Sequence, residues 1–408
     1  MQSTLTKAIE RRLPEAVELL QDLIRFQSTP GNEGPVVDFL ARYLGEAGFS
    51  PERCSIAEDI VNDPEYTPVP GHRGYQDRSN LLARVGEGAG RSVILNTHCD
   101  VVPGKPELFE PRVEGDVVFG RGACDAKGQI AVAVLALLAL RDAGVKFAGE
   151  VLLQIVIEEE SGGNGSLAMI RQGHRADAVI VLEPTVLHTH PANRGAVWFK
   201  LEVRGKPIHM GKYYEGVNAV EEMMDLLEIL RRYRERLRED SRGHPLFPDD
   251  PSPVTVNIGT IQGGEWPSMV PAECVVEGGI SFLPNKRLAQ VRDEVRQAVE
   301  AEAGEWAKAN CRLTFDRLHN DSYETPMDDP VVEAFCAAAD AVRGQEPPTG
   351  FPASSDARLF FHTGSMPTIT FGPGDLGHAH AEDEQISISQ IAQGAEILAR
   401  FLMNWAGR

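Results

Sequence analysis

Short, largely apolar runs recur along this chain, and each leads into a histidine or a carboxylate. Val93, Ile94 and Leu95 lead to His98 and Asp100; residues 151–157 lead to Glu158, Glu159 and Glu160; residues 178–182 lead to Glu183; residues 368–371 lead to a glycine-rich loop carrying His380. Runs of this length without polar alternation predict strands buried on both faces. Helical spacing lies between them, over 15–26, 35–47, 129–143 and 166–172, with further strands at 81–85 and 92–96. Alternating strands and helices predict a mostly parallel sheet with helices on both faces. In such sheets ligands bind beyond the strand ends, where the histidine and carboxylates fall.

The pattern changes after about residue 192. A half-exposed strand at 196–203, a charged helix at 218–237, strands at 254–261 and 273–282, a helix at 288–303 and a strand at 312–317 follow. That order, βαββαβ, is the split unit of a small antiparallel sheet with helices on one face, a ferredoxin-like α+β arrangement. The αβ pattern then returns, with helices at 330–342 and 389–405. The expectation is a discontinuous catalytic domain, 1–192 and 319–408, interrupted by an inserted domain at 193–318. A length of 408 residues suits two domains.

With 40 Lys and Arg against 60 Asp and Glu, the net charge is −20. Nucleic-acid binding needs clustered cations, so no nucleic-acid partner is expected. No run of residues reaches membrane-spanning length, and none is expected to span or anchor. Six scattered cysteines without a Cys-x-x-Cys pair predict reduced thiols in a cytoplasmic protein. Cys99 and Cys124 are expected to pack rather than bind metal.

The clusters carry one chemistry. A carboxylate two residues from a histidine, as in His98 and Asp100, orients the imidazole and leaves the other ring nitrogen for a metal. Asp125 lies in the glycine-rich stretch Gly120–Gly128, just before a helix; alone it reads as a cap. Glu158, Glu159 and Glu160 end a buried strand, so one can bind metal while another takes a proton. With His98 and His380 neutral and Asp125, Glu160 and Glu183 ionised, two divalent ions leave one positive charge, which a hydroxide balances. Nitrogen and oxygen ligation without thiolate suits zinc, with cobalt or manganese as alternatives. Two such ions acidify water and polarise a carbonyl, and a free glutamate moves the proton to the leaving nitrogen.

Taken in order and spacing, these motifs resemble the M20 family of metallopeptidases and deacylases over nearly the whole chain. The resemblance implies that His98, Asp125 and Glu183 hold one ion, that Asp125 bridges to a second held by Glu160 and His380, that Asp100 orients His98, and that Glu159 is the general base. It implies a cis Asp125–Ala126 peptide. In the insert, Gly205 to His209 and Glu215-Gly216-Val217-Asn218-Ala219 resemble two family segments. They imply that His209 stabilises the oxyanion, from the partner subunit in a homodimer formed through 193–318, with Asn218 near substrate.

The segment Gly263-Gly264-Glu265-Trp266-Pro267-Ser268 resembles the acetylornithine deacetylase and succinyl-diaminopimelate desuccinylase branch. Relatives often carry asparagine at the position of Ser268 and arginine at that of Ser281. Arg358 is then a candidate to grip a substrate carboxylate. The expected activity is hydrolysis of the amide of a small N-acyl amino acid or related N-acyl compound. A dipeptidase or carboxypeptidase using the same site is the alternative, and a non-catalytic binding protein on this scaffold a distant third.

Overall fold

Glu150–Val156, Ser92–His98, Val179–Leu182 and Thr368–Phe371 lie side by side as parallel strands. Ser79–Gly86 joins Glu150–Val156 antiparallel, and Pro51–Ser55 closes that edge antiparallel to Ser79–Gly86. In the four parallel strands every residue after the first turn of pairing is buried, so helices cover both faces of the sheet. The edge strand Pro51–Ser55 escaped sequence pattern because it is mostly polar and exposed. In the computed structural model all residues are described apart from Met1, Pro70, Arg73, 249–251 and Arg408.

Register places the chemistry. Asn96 pairs with both Gln154 and Val181, His98 with Val156, and Phe371 with Leu182. Parallel strands in this register end at one rim. His98, the Glu158–Glu160 triplet, Glu183 and the loop from Gly372 therefore all leave the sheet there.

Two helix groups back the sheet. Gln2–Ile24, Lys127–Asp142, Pro330–Arg343 and Ile388–Trp405 pack together, and Asn164–Arg171 packs with Ala357–His362. Lys127–Asp142 is buried without a break from Lys127 to Leu140, which its Ala and Leu composition permits. The first helix starts well before residue 15, because Leu5, Ala8 and Ile9 are buried and Pro14 is tolerated within it. A proline more often marks the first helical turn. Phe335 packs edge-on against Phe371, in the strand that leads to His380, and tilted against Phe401, with ring centroids 4.8 and 5.0 Å away.

The chain divides into two units. The first holds the residues up to Ala192, Glu324–Phe351 and those from Ser355 onward. The second holds Asn193–Tyr323 with Pro352–Ser354. In the second, the strand order is Thr255–Gly263, Glu273–Phe282, Gly195–Arg204, Cys311–Thr314, all antiparallel. Val197, Phe199, Leu201 and Val203 are buried, while Trp198 and Arg204 on the alternate face are exposed. The helices Ala219–Asp240 and Leu288–Glu302 pack together. The strand expected over 312–317 is two short pieces, Cys311–Thr314 and His319–Asn320, both paired with Gly195–Arg204. Among the described residues, no helix is long and apolar enough to cross a membrane.

Candidate metal centre

His98 ends its strand fully buried. Its Nδ1 donates to the main-chain carbonyl of Asp100 at 3.0 Å, which leaves Nε2 facing Asp125 Oδ1 at 3.0 Å. The Asp100 carboxylate stands farther from the ring, at 3.5 Å. Its two oxygens instead accept the backbone N–H groups of Glu159 and Glu160, at 3.2 and 3.1 Å. Asp100 thus fixes the imidazole mostly through its backbone and the glutamate pair through its side chain.

Asp125 is not a helix cap. The N-cap position of Lys127–Asp142 is Ala126, without a side-chain cap bond, and the Asp125 carboxylate lies between His98 and His380, whose Nε2 is 3.4 Å from Oδ2. The Asp125–Ala126 peptide is cis. His380 Nε2 also lies 3.0 Å from Glu160 Oε2. Ligand atoms of His98, Asp125 and Glu160 lie within 4.8 Å of one another, and so do those of His98, Glu159 and Glu183. The structure therefore gathers all five expected ligands into one cluster. Glu159, expected to remain free as the base, also lies within ligand reach of His98 and Glu183.

The acidic triplet is neither a solvated face nor a uniform ligand set. Glu158, with φ of 60°, is fully buried. It accepts hydrogen bonds from Arg78, Tyr75 and Asn164 at 2.6, 2.8 and 3.0 Å, and Arg78 also grips Glu33 through two bonds. Glu158 anchors the turn, and the turn presents Glu159 and Glu160. Nothing in the linear order pairs Glu33, Tyr75 and Arg78 with Glu158.

The electrostatics fit cations. Burial, then the Asp125 charge, pushes the Glu160 carboxyl up to about 7. Burial also raises Glu159 and Glu183 well above the usual carboxylate range, with Asp356 adding to the first and Asp125 to the second. Burial works against ionisation of Asp125 too, but hydrogen bonds to His380 and His98 hold its carboxyl low. Those to Asp125 and Glu160 lift His380 to about 10. For His98, burial favours the neutral ring, and the bonds to Asp100 and Asp125 overcome it. Among the described residues, the only cationic partners within ion-pair distance of these carboxylates are His98 and His380. A buried carboxylate set of mixed N/O donors fits divalent ions. Cys99 and Cys124 are buried with thiols raised first by burial, and each bonds a backbone carbonyl, so they pack.

Asp356, which the sequence left unassigned, is buried beside this cluster with Oδ2 unpartnered, its carboxyl raised by burial to about 6. Arg358 is buried, bonded to the Gly162 carbonyl at 3.1 Å and to Glu65 at 3.3 Å. The remaining expected residues lie in the second unit. His209 is exposed and its Nδ1 accepts from Gly211 N at 3.1 Å. His209 bridges to Met269, and the Ser268 carbonyl accepts from Met210 N, so these two segments are neighbours. Asn218 caps the helix Ala219–Asp240 through Oδ1, accepting from Val220 N at 2.9 Å.

Residues 94–404 match the peptidase family M20/M25/M40. The chain belongs to this family and is a hydrolase of amide or peptide bonds. It is 27% identical over 438 aligned positions to N-formyl-4-amino-5-aminomethyl-2-methylpyrimidine deformylase of Bacillus subtilis, covering 99% of this chain and 98% of that protein. Its fold resembles the crystal structure of aminopeptidase PepT from Bacillus cereus, with a TM-score of 0.74 at 20% identity over 97% of this chain and 99% of that one. It also resembles the dipeptidase Dug1p of Saccharomyces cerevisiae, with a TM-score of 0.74 at 17% identity over 100% and 98% of the two chains.

Proposed function

We propose that this protein removes a small acyl group from the nitrogen of an N-acyl amino acid or related N-acyl compound, using two divalent ions, zinc by preference and cobalt or manganese as alternatives. The convergence of His98, Asp125, Glu160, Glu183 and His380 at one sheet rim carries the reading. Divalent ions held by these five residues would supply Lewis acidity toward the amide carbonyl and toward water. Asp125, with one oxygen toward each histidine, would be the ligand common to both. Glu159, fixed through its N–H by Asp100, takes the proton from the attacking water and delivers it to the leaving nitrogen. The B. subtilis relative is named as a deformylase, which favours a small acyl group such as formyl.

His209 is proposed to donate to the developing oxyanion at the partner subunit's site in a homodimer. Its Nδ1 accepts a hydrogen bond, so the proton sits on Nε2, the tautomer such a donor needs. The second unit also carries Trp198, Met224, Ile258, Ile261 and Trp266 as exposed apolar side chains. Ile258 and Ile261 lie on the edge strand Thr255–Gly263. An uncovered edge with apolar residues supports a homodimer through this unit. Six free cysteines support a reducing, cytoplasmic location.

Glu159→Gln is the direct test. Turnover of N-formyl, N-acetyl and N-succinyl amino acids is expected to fall by about 10²–10⁴-fold with both ions retained; turnover within a few-fold of the parent rejects the mechanism. The neighbours named as an aminopeptidase and a dipeptidase motivate the competing reading. Release of free amino acids from dipeptides, with the N-acyl panel untouched, would establish it instead.

A further inference from the structure

Glu384 closes the acidic run that follows His380, and the proposed chemistry makes no use of it. It is 2% exposed. Its Oε1 accepts three backbone N–H groups, from Gly122, Cys124 and Asp125, at 3.0, 3.1 and 3.1 Å. Its Oε2 accepts from Arg121 Nη1 at 2.6 Å, and Arg121 Nη2 donates to the main-chain carbonyl of His380 at 3.2 Å. Arg121 is 4% exposed. His380 itself has φ of 63°, a left-handed conformation that a non-glycine residue keeps only when its surroundings hold it.

The ligands differ in what supports them. His98 and Glu183 stand at strand ends, where the sheet holds the backbone: His98 pairs with Val156, and Glu183 N donates to the Phe371 carbonyl. Asp125 and His380 stand in loops. Beyond the His380–Asp125 pair itself, Glu384 and Arg121 tie the Asp125 loop to the His380 segment by charge-assisted hydrogen bonds. A carboxylate saturated by backbone donors and a guanidinium is strong and directional, and removing one partner leaves the other charged and buried.

We infer that Glu384 and Arg121 form a positioning clamp that sets Asp125 against His380 and so governs uptake of the ion held by Asp125, Glu160 and His380. This rests on the two-ion reading above. The clamp acts through the ligands and touches no substrate.

The test titrates metal-free parent protein, Glu384→Ala, Glu384→Gln and Arg121→Gln with Zn²⁺ and with Mn²⁺ by calorimetry, and follows backbone hydrogen exchange over residues 120–126 and 376–384. The parent is expected to bind two ions. Glu384→Ala should weaken the second event, filling of the Asp125, Glu160 and His380 position, by about 10–100-fold, weaken the first less because the two positions share Asp125 alone, and speed exchange in both segments. Glu384→Gln, which keeps an acceptor for the three N–H groups, should recover much of the loss. Arg121→Gln should weaken the second event more than the first. A folded Glu384→Ala that binds both ions like the parent, with unchanged exchange, overturns the clamp. If that variant does not fold, unchanged second events in both Glu384→Gln and Arg121→Gln overturn it. A parent that takes up one ion refutes the two-ion reading instead; exchange then decides the clamp, faster in both segments supporting it and unchanged overturning it.

Discussion

His98 Nδ1 lies 3.0 Å from the main-chain oxygen of Asp100 and 3.5 Å from its carboxylate. The backbone carbonyl therefore sets the ring tautomer, and the side chain is free to hold the N–H groups of Glu159 and Glu160. Asp100→Ala removes the acceptor from both. We expect a loss of about 10–100-fold in metal affinity or turnover, with a smaller loss for Asp100→Asn, which keeps one oxygen. Metal content and kcat/KM of the two variants check this, and parent-like values in Asp100→Ala would show the carboxylate to be idle.

Metal uptake should release protons. Without ions, the bonds to Asp125 and Glu160 hold His380 protonated up to about 10, and burial holds Glu160 near half-protonation at about 7. An ion must displace those protons, so affinity rises with pH across the neutral range. Calorimetry at pH 7 in buffers of different ionisation enthalpy should give apparent enthalpies that track the buffer. Enthalpies independent of buffer would contradict it.

His190 supplies an acid limb to stability. Burial pushes its pKa down to about 4, against a bond to the Thr349 carbonyl that favours the charged ring. The unfolded chain binds a proton near 6.5 and the folded chain does not, so this contribution is full above 6.5 and is lost as pH falls toward 4. At about 1.4 kcal/mol per unit, up to about 3 kcal/mol is involved. Urea midpoints from pH 7 to 4 should fall for the parent and fall less for His190→Gln.

Gly163 cannot carry a side chain without moving the glutamate turn. It has φ of 84°, and a Cβ there would lie 2.1 Å from Asp356 Oδ1. Gly163→Ala is expected to cost more than about 1 kcal/mol of stability and to lower turnover by shifting Glu159. Denaturation midpoints and kcat measured together check both parts, and a variant unchanged in each would show the turn to be tolerant.

The linear chain determined which residues end buried strands. Val93 to Leu95, 178–182 and 368–371 are apolar enough to be buried on both faces whatever surrounds them, so His98, Glu183 and the loop to His380 were legible as a set from their place after such runs. The same periodicity marked the βαββαβ order of the insert. Other features depended on partners distant in sequence. Pro51–Ser55 became a strand only because Ser79–Gly86 offered an edge. Glu158 became an anchor because Arg78 and Tyr75 reached it. Arg358 was drawn to Glu65 and the Gly162 carbonyl, and Glu384 was bound into the loop before Asp125. A buried ionic group is satisfied by whatever donor the packed chain brings within about 3 Å. Local pattern specifies which side chains are polar, but that proximity arises only when the layers are assembled.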